Sequence, residues 1–178
     1  MTRLLFVDDE VLLRQLTLDD AEELFALIDT NREHLGRWLP WVTAITSVDD
    51  ERGFLRLQRR RADELAEIDF AIRAGNQIVG CAGLANLDSA SGMAEVGYWL
   101  AQDAQGRGYA TRAVQALTRY ARELGHSRIE LHVATDNQPS RAVAERLGFA
   151  LAEIRPLGMV VGVDARVEDL AVYALDVT

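Results

Sequence analysis

The residues with the clearest chemical potential form a glycine-rich run between a short apolar segment and a long amphipathic one. The run reads Gln105-Gly106-Arg107-Gly108-Tyr109-Ala110-Thr111. Glycines let backbone N–H groups approach a ligand closely, and the first turn of a helix adds unpaired donors and the positive end of its dipole. Such a turn suits a pyrophosphate, to which Arg107 would add a charge-assisted contact and Thr111 a hydroxyl.

Three phosphate-binding patterns compete for this run. A P-loop is excluded because it needs a lysine, and all 19 residues of the Lys+Arg count are arginines. A dinucleotide fingerprint needs a third small residue where Thr111 stands, and the acidic residue at the expected distance, Glu130, falls in the middle of a predicted strand. The dinucleotide interpretation is weakened but not eliminated. The third pattern, Gln/Arg-x-x-Gly-x-Gly/Ala, is met by Gln105, Gly108 and Ala110.

Carboxylates outside the run could act as a general base. Glu95 lies in an otherwise apolar strand just before the run, where partial desolvation would suit a carboxylate that accepts an amine proton through water. A structural ion pair between Glu95 and an arginine of a neighbouring strand explains the residue equally well. Asp69 and Glu168 are weaker candidates of the same kind.

The composition excludes several kinds of chemistry and of partner. The chain has no lysine, which excludes Schiff-base catalysis, and its single cysteine, Cys81, excludes disulfide frameworks and cysteine-cluster zinc sites. Its three histidines lack metal-ligand spacing, so no metal is expected. The net charge of -9 argues against a nucleic-acid partner, since phosphate neutralisation needs a basic face. An acidic face would attract a cationic substrate, although solubility is the simpler account of the charge.

Length and apolar content set the expected organisation. The chain has 178 residues, 49% of them hydrophobic, and neither a linker nor a repeat divides it, so one domain over residues 1–178 is predicted. No run approaches the ~20 apolar residues that a bilayer requires. Asp8, Asp9 and Glu10 follow the N-terminal apolar residues too soon for a signal peptide. We therefore expect a cytoplasmic protein without a membrane partner.

The segments that must position these residues alternate irregularly between strand and helix. Apolar periodicity and turn residues predict strands over 11–16, 69–73, 78–84, 95–100, 128–134, 149–155 and 167–177, with a loop over 158–164. Helices are predicted after a capping box at 17–20, over 49–64, over 111–124, and over 139–148. Strands outnumber helices, which favours a mixed sheet flanked by helices.

Five further segments occur in a recognisable order along nearly the whole chain. They are Asn31-Arg32-Glu33-His34-Leu35, Trp38-Leu39-Pro40-Trp41, Glu95-Val96-Gly97-Tyr98-Trp99-Leu100, Asn137-Gln138-Pro139-Ser140 and Ala144-Glu145-Arg146-Leu147-Gly148-Phe149. Together with the glycine-rich run, which resembles an acetyl-coenzyme A (acetyl-CoA) binding motif, they resemble the GNAT acetyltransferase superfamily. The five separate segments resemble its ribosomal-protein N-acetyltransferase (Rim-type) branch.

This resemblance implies a fold and a cosubstrate site. The GNAT fold is α/β (α+β), with a mixed, strongly twisted sheet of about six to seven strands flanked by helices. The sheet is splayed between strands 4 and 5, here 95–100 and 128–134, where the pantetheine arm of acetyl-CoA inserts. Backbone N–H groups near Trp99 and Leu100 would hold the pantetheine amides and polarise the carbonyl. The cosubstrate would also contact Gln105, Gly106, Arg107, Gly108, Tyr109, Ala110, Thr111, Asn137 and Ser140.

The resemblance also suggests catalytic and acceptor-binding residues. Glu95 would act as the base, through water. Many family members carry a tyrosine where this chain has Ala144, which leaves Ser140, a serine shared by the Rim-type pattern, to assist the departing thiolate. Ser140 could equally bond the backbone at the start of a helix. Trp38 and Trp41 would border the acceptor cleft, although core packing is the simpler account of at least one of them.

These features predict an acetyl-CoA-dependent N-acetyltransferase that transfers acetyl directly to a primary amine, such as the N-terminal amine of a ribosomal protein. A small amine, a polyamine or an aminoglycoside is an alternative acceptor, because acceptor loops vary within one scaffold. A non-catalytic acyl-CoA binding module is kept open by Ala144, and a dinucleotide-dependent oxidoreductase is a further alternative. The sequence does not give the oligomeric state, although a homodimer is common in the family.

Overall fold

The computed structural model describes residues 2–87 and 90–177, and within these ranges eight strands form one mixed sheet. In chain order they are β1 (Leu4–Phe6), β2 (Val11–Gln15), β3 (Ile68–Ala74), β4 (Gln77–Ala85), β5 (Met93–Leu100), β6 (Arg128–Ala134), β7 (Ala150–Val161) and β8 (Arg166–Asp176). Their spatial order is β1-β2-β3-β4-β5-β6-β8-β7. Neighbouring strands are antiparallel except β5 and β6, so this one parallel pair needs a crossover helix.

Five α-helices occur in the same described ranges. They are α1 (Ala21–Thr30), α2 (Arg32–Leu35), α3 (Val48–Asp63), α4 (Tyr109–Glu123) and α5 (Gln138–Arg146). The start of α3 is capped by Ser47, whose side chain accepts from the Asp50 N–H, and α5 has a proline in its first turn. The crossover between β5 and β6 is α4, so its N-terminus follows the carboxyl end of β5. No described helix is long and apolar enough to cross a membrane.

The two faces of the sheet bury different side chains, because successive residues of a strand point to opposite faces. On one face, Phe70 belongs to a large core that includes the buried residues of α4. On the other face, Cys81 packs with residues of α1 and α3. Asp69, Glu95 and Trp99 follow the alternation of this second set, so they lie on the face that α1 and α3 cover.

The strands β5 and β6 separate after a short paired stretch. Their register joins only three pairs: Met93 to Arg128, Ala94 to Ile129 and Glu95 to Glu130. Beyond these pairs, β5 continues to Leu100 while paired with β4 alone, so its backbone groups on the β6 side lack a sheet partner among the residues that the structure describes. The splay predicted between residues 95–100 and 128–134 is therefore confirmed.

Two details of the sheet differ from the sequence-based prediction. It has eight strands rather than six to seven, because the three-residue β1 with exposed Leu4 and Phe6 is too short to show a period. The splayed strands are consequently the fifth and sixth. The loop predicted over 158–164 is wrong in part, since β7 continues to Val161, and a register shift between Arg155 and Met159 accommodates Pro156.

Candidate active site

The glycine-rich run forms an open turn at the N-terminus of α4. Gly106 and Gly108 both have φ of 75°, and Gly108 is the capping residue of the helix. Apart from the adjoining residues, no atom of the described ranges lies within 4 Å of the place a Cβ would take at either glycine. Arg107 between them is exposed, and its side chain has no partner among the described residues. Helix N–H groups, the helix dipole and a free guanidinium meet here, an arrangement that suits an anion.

Arg112, in the first turn of α4, bonds both the glycine-rich turn and the hairpin between β1 and β2. Its Nη2 donates to the Arg107 carbonyl oxygen at 3.1 Å, and its Nη1 reaches Asp8 at 2.9 Å and Glu10 at 3.1 Å. The bond from Arg112 lowers the pKa of Asp8, and bonds from Tyr109 and Arg112 lower the pKa of Glu10. The backbone of the turn is therefore held in place by the protein itself.

Two residues predicted to bind the cosubstrate have buried side chains. The ring of Tyr109 is 3% exposed, and its hydroxyl donates to Glu10 Oε1 at 2.8 Å. Ala110 is also buried, in the core with α4. These two residues present their backbone, rather than their side chains, to the turn.

Two other predicted residues are bonded to side chains from distant segments. Thr111 Oγ1 accepts from Arg146 Nη1 at 3.0 Å, and Gln105 Nε2 lies 3.1 Å from His34 Nε2. Arg146 comes from the end of α5 and brings a second cation to the turn. The site thus joins α2, α4 and α5 around one anion-binding surface.

A cavity of about 480 Å³ lies beside the splay. Its walls include Glu95 and Trp99 from β5, His132 from β6, Ser140 from α5, and Trp41 from the segment before α3. Because β5 lacks a partner on its β6 side here, a molecule inserted between these strands would meet a second molecule held in the cavity. Such an arrangement suits transfer of a group from one ligand to another.

Ser140 lies in the first turn of α5, beside the gap between the strands. Its N–H donates to Asn137 Oδ1 at 3.3 Å, and its Oγ accepts from the Tyr98 hydroxyl at 3.1 Å. Burial raises the pKa of Tyr98, against a smaller opposing effect of its bond to Ser140. Since Tyr98 supplies the donor, Ser140 keeps its own proton for a group in the gap. Ala144 is fully buried and has no hydroxyl to offer.

Glu95 is the last residue of β5 that pairs with β6, and its side chain is 31% exposed. Its Oε2 accepts from Asn86 Nδ2 at 3.2 Å and lies 3.5 Å from His132 Nδ1, while His132 Nε2 contacts Glu130 at 2.9 Å. Burial works to raise the pKa of Glu130, but bonds from His132 and Arg128 lower it overall. Among the described residues, a histidine therefore takes the place of the arginine considered as a partner of Glu95.

Acidic and amide side chains line the far end of the cavity. Glu51 and Gln58 lie on the buried face of α3, and Asp69 lies on β3. Burial raises the pKa of Glu51 to about 7, and burial with the nearby charge of Glu67 raises that of Asp69 to about 7. Both carboxyls therefore change charge near neutral pH.

The structure separates the two tryptophans predicted at the acceptor cleft. Trp41 is 38% exposed, lines the cavity, and has its ring centroid 6.1 Å from that of Trp99. The ring of Trp38 packs instead under the guanidinium of Arg166, at 5.8 Å, and is not part of the cavity wall within the described ranges. Only Trp41 lies where a molecule in the cavity would touch it.

Sequence reasoning missed several residues of this site. Tyr98 stood inside a quoted segment, but strand alternation points it away from Trp99, and only its contact with α5 gives it significance. Arg112 carried a usable signal, because a basic residue in the first turn of a helix opposes the dipole and calls for an acidic partner. Glu51 and Gln58 carried no sequence signal beyond their helical spacing.

Comparison with known proteins agrees with this geometry. The model of the acetyltransferase (GNAT) domain family matches residues 10–150. YdaF of Bacillus subtilis (strain 168), whose name assigns it provisionally to the ribosomal N-acetyltransferases, is 36% identical over 145 residues, 80% of this chain and 79% of that protein. The ribosomal-protein-serine acetyltransferase of Escherichia coli (strain K12) is 28% identical over 156 residues, 85% of each chain.

Solved structures extend the likeness to the whole fold. RimL, a ribosomal L7/L12 α-N-protein acetyltransferase solved with coenzyme A, superposes with a TM-score of 0.92 at 25% identity over 98% of each chain. The microcin C7 self-immunity acetyltransferase MccE, solved with acetyl-CoA and AMP, gives a TM-score of 0.91 at 26% identity, covering 96% of this chain and 94% of MccE.

The chain therefore belongs to the GNAT acetyltransferase family and is an acyltransferase. Within that family it belongs to the Rim-type branch, because its likenesses to YdaF, the Escherichia coli enzyme and RimL each span most of both chains. Both conclusions confirm the resemblance drawn from the separate sequence segments.

Proposed function

We propose that the protein is an acetyl-CoA-dependent N-acetyltransferase that transfers acetyl directly to a primary amine, in particular the N-terminal amine of a protein such as a ribosomal protein. The observation that carries the proposal is the separation of β5 from β6 after Glu95, which opens the sheet between the anion-binding turn and the cavity. One domain over residues 1–178 performs the reaction in the cytoplasm.

Acetyl-CoA as cosubstrate is supported by the turn and by the open strand edge. Gly106, Arg107 and Gly108 offer backbone donors and a cation to the pyrophosphate, and the edge of β5 near Trp99 and Leu100 offers partners to the pantetheine amides. RimL and MccE were solved with coenzyme A and acetyl-CoA, respectively. Further contacts are assigned to Gln105, Tyr109, Ala110, Thr111, Asn137 and Ser140.

Glu95 prepares the acceptor amine in the proposed mechanism. Its carboxylate, fixed by Asn86 and His132, accepts the amine proton through a water molecule. The neutral nitrogen then attacks the thioester carbonyl carbon, whose oxygen is stabilised by backbone N–H groups on the open edge of β5. The C–N bond forms and the C–S bond breaks, so a thiolate leaves.

Ser140 and Tyr98 supply the proton that the thiolate needs. Ser140 donates its hydroxyl proton to the sulfur, while the hydrogen bond from Tyr98 stabilises the negative charge that develops on the serine oxygen. The nitrogen loses two protons in all: Glu95 takes the first through water before the attack, and the second, lost when the C–S bond breaks, returns to the serine oxygen that protonated the sulfur. This pair takes the place of the single tyrosine that Ala144 replaces.

The acceptor class is inferred from the relatives and from one wall of the cavity. The Escherichia coli relative is named for a ribosomal-protein serine, and RimL for the α-amine of L7/L12. Trp41, which lies in that wall, is assigned to the acceptor. An acceptor entering past Trp41 would bring its amine to Trp99 and Glu95.

Steady-state kinetics with acetyl-CoA and a panel of N-terminal peptides test the proposal. Intersecting double-reciprocal lines are expected for direct transfer, whereas parallel lines would exclude it. In thermal unfolding, acetyl-CoA should raise Tm more than NAD does, because it binds the folded state more tightly. Acetyl-CoA binding without thiol release from any acceptor would indicate a non-catalytic binding module instead.

A further inference from the structure

The far end of the cavity contains hydrogen-bond acceptors that the described part of the chain leaves unsatisfied. They belong to Glu51, Gln58 and Asp69, which we call the acidic subsite, and all three residues line the cavity. Glu51 is 2% exposed and Gln58 is 6% exposed, whereas Asp69 is half-buried. Buried polar groups are normally paired, so the enclosed and unpaired Oε1 of Gln58, in a cavity wall with two carboxyls, needs an explanation.

Gln58 is the clearest of the three, because it carries no charge and its orientation is fixed. Its Nε2 donates to Glu67 Oε1 at 3.2 Å, which leaves Oε1 directed elsewhere. That Oε1 is buried and accepts no hydrogen bond from the described residues. An unmet buried acceptor destabilises the fold, and a ligand that donates a hydrogen bond there would remove the penalty.

The two carboxyls of the subsite also lack partners. Neither Glu51 nor Asp69 has a side-chain hydrogen bond or ion pair with a described residue. The nearby cation, Arg61, is committed to Glu67 at 2.6 Å. Burial raises the pKa of the Cys81 thiol, and the charges of nearby carboxylates, Asp69 and Glu51 among them, add to this effect, so both lie within electrostatic range of β4.

Gly83 connects the subsite to the place of acetyl transfer. A Cβ on Gly83 would lie 1.9 Å from Asp69 Oδ1, so the missing side chain lets the Asp69 carboxylate extend over β4. Gly83 pairs with Gly97 of β5, and apart from the adjoining residues nothing in the described part of the chain lies within 4 Å of a Cβ position on Gly97. Since neighbouring strands are about 5 Å apart, the carboxylate lies roughly one strand spacing from the open strand.

We propose that the acidic subsite binds a primary ammonium group of the acceptor, distinct from the amine that is acetylated. This inference rests on the proposed function, because it places a second amine of the same acceptor in the same cavity. An ammonium has three N–H donors and no acceptor, which matches the unpaired oxygens of Glu51, Gln58 and Asp69. An ionised carboxylate in this buried site would also attract the cation.

The geometry limits the acceptor to molecules with two suitably spaced amines. One to two strand spacings separate β5 from the subsite, so the nitrogens should lie about 5–10 Å apart. An extended chain advances about 1.2 Å per bond, which corresponds to about four to six methylenes between the nitrogens. Both 1,4-diaminobutane and a peptide that begins with lysine meet this condition, and the experiments below separate them.

Binding is measured first, by calorimetry on the full chain saturated with coenzyme A. We expect 1,4-diaminobutane to bind at least about tenfold more tightly than n-butylamine, because only the diamine places an ammonium among the acceptors. Glu51→Gln should abolish this preference, and the matched variant Asp63→Asn, at an exposed position of the same helix, should retain it. Equal affinities for the two amines, or no binding of either, would overturn the inference.

Turnover then identifies the source of the ammonium. Thiol release is compared between 1,4-diaminobutane and n-butylamine, and between two peptides that begin with lysine or norleucine. At least one pair should show about a tenfold higher kcat/KM for the ammonium-bearing member. If Glu51→Gln does not fold, Asp69→Asn is a second variant for this test. In it, the ratio of kcat/KM between the ammonium-bearing member of a pair and the other member should fall.

The two proposals fail in different ways. Equal kcat/KM within both pairs would overturn the acidic subsite while leaving the acetyltransferase proposal intact. No thiol release with any acceptor would contradict the acetyltransferase proposal, and the calorimetric comparison would still decide the subsite. A preference shown only by the peptides would assign the subsite to basic N-terminal residues, and one shown only by the diamine to small diamines.

Discussion

The hydroxyl of Tyr98 donates a 3.1 Å hydrogen bond to Ser140 Oγ, and this bond joins β5 to α5 at the gap in the sheet. The two residues belong to the elements on either side of the opening, so the bond spans the place where acetyl transfer is proposed. It also fixes the direction in which the Ser140 proton can be donated, because one lone pair of its oxygen is already used.

Ser140→Ala should lower kcat strongly, because the thiolate then leaves without a proton donor. We expect a loss of about 10²-fold, in the range of general acid catalysis, and a smaller loss of about tenfold for Tyr98→Phe. The double variant should resemble Ser140→Ala alone, because Tyr98 acts through the serine. Single-turnover thiol release measures all three, with Thr118→Val, which removes a hydroxyl bonded only to helix backbone, as control. Multiplicative losses in the double variant would contradict the relay.

Glu95→Gln should remove the group that accepts the amine proton. We expect kcat to fall by at least about 10²-fold, and the pH profile of kcat to differ from that of the wild type. The matched control is Glu153→Gln on exposed β7, which should behave as the wild type. An unchanged pH profile in Glu95→Gln would remove this residue from the role of base.

Gly108→Ala should weaken both the fold and the binding of acetyl-CoA. The residue has φ of 75° with open space around it, so the penalty is one of backbone conformation, about 1–2 kcal/mol. The control is Gly53→Ala in α3, where nothing lies within 4 Å of the added Cβ and the change should stabilise by about 0.5–1 kcal/mol. Urea unfolding measures the change in stability, and calorimetry measures the change in affinity for acetyl-CoA. Equal changes in stability for Gly108→Ala and Gly53→Ala would contradict a penalty that arises from the positive φ of Gly108.

The anion-binding turn was predictable from sequence because its residues are contiguous. Gly106, Arg107 and Gly108 are consecutive and precede an amphipathic helix, so the local sequence pattern is enough to predict the turn. The same holds for β6, whose bounds were predicted to the residue. The short β1 was missed because three residues carry no measurable period.

The rest of the site could not be predicted, because it is made by pairs that are distant in the chain. Tyr98 and Ser140 are separated by 42 positions, and Tyr109 and Glu10 by 99. Composition and periodicity are local properties, and neither specifies which side chains meet across strands. The acidic subsite is a clearer case still, since the unpaired state of Gln58 exists only in the folded chain.

Glu51→Gln should stabilise the protein at high pH, although it removes a functional group. The folded protein raises the pKa of Glu51 from 4.5 to about 7, so it keeps a proton that the unfolded chain has lost over this interval. The free energy of unfolding therefore falls as pH rises from about 4.5 to about 7, and the full penalty is present above pH 7. Replacing the ionised Glu51 should then raise the free energy of unfolding by about 1–3 kcal/mol at pH 8, with little change at pH 5.

Urea unfolding at pH 5 and pH 8 measures this effect for the wild type, Glu51→Gln and Asp63→Asn. The change in free energy caused by Asp63→Asn should be the same at both pH values, because that variant retains Glu51. An equal change in the free energy of unfolding for Glu51→Gln at both pH values would contradict the raised pKa of Glu51.

The cost of burying ionised Glu51 also links the stability of the protein to its acceptor, because an ammonium that pairs with the carboxylate reduces this cost. Hence 1,4-diaminobutane should raise the wild-type Tm more at pH 8 than at pH 5, and n-butylamine should not, since only the ionised site attracts the second cation.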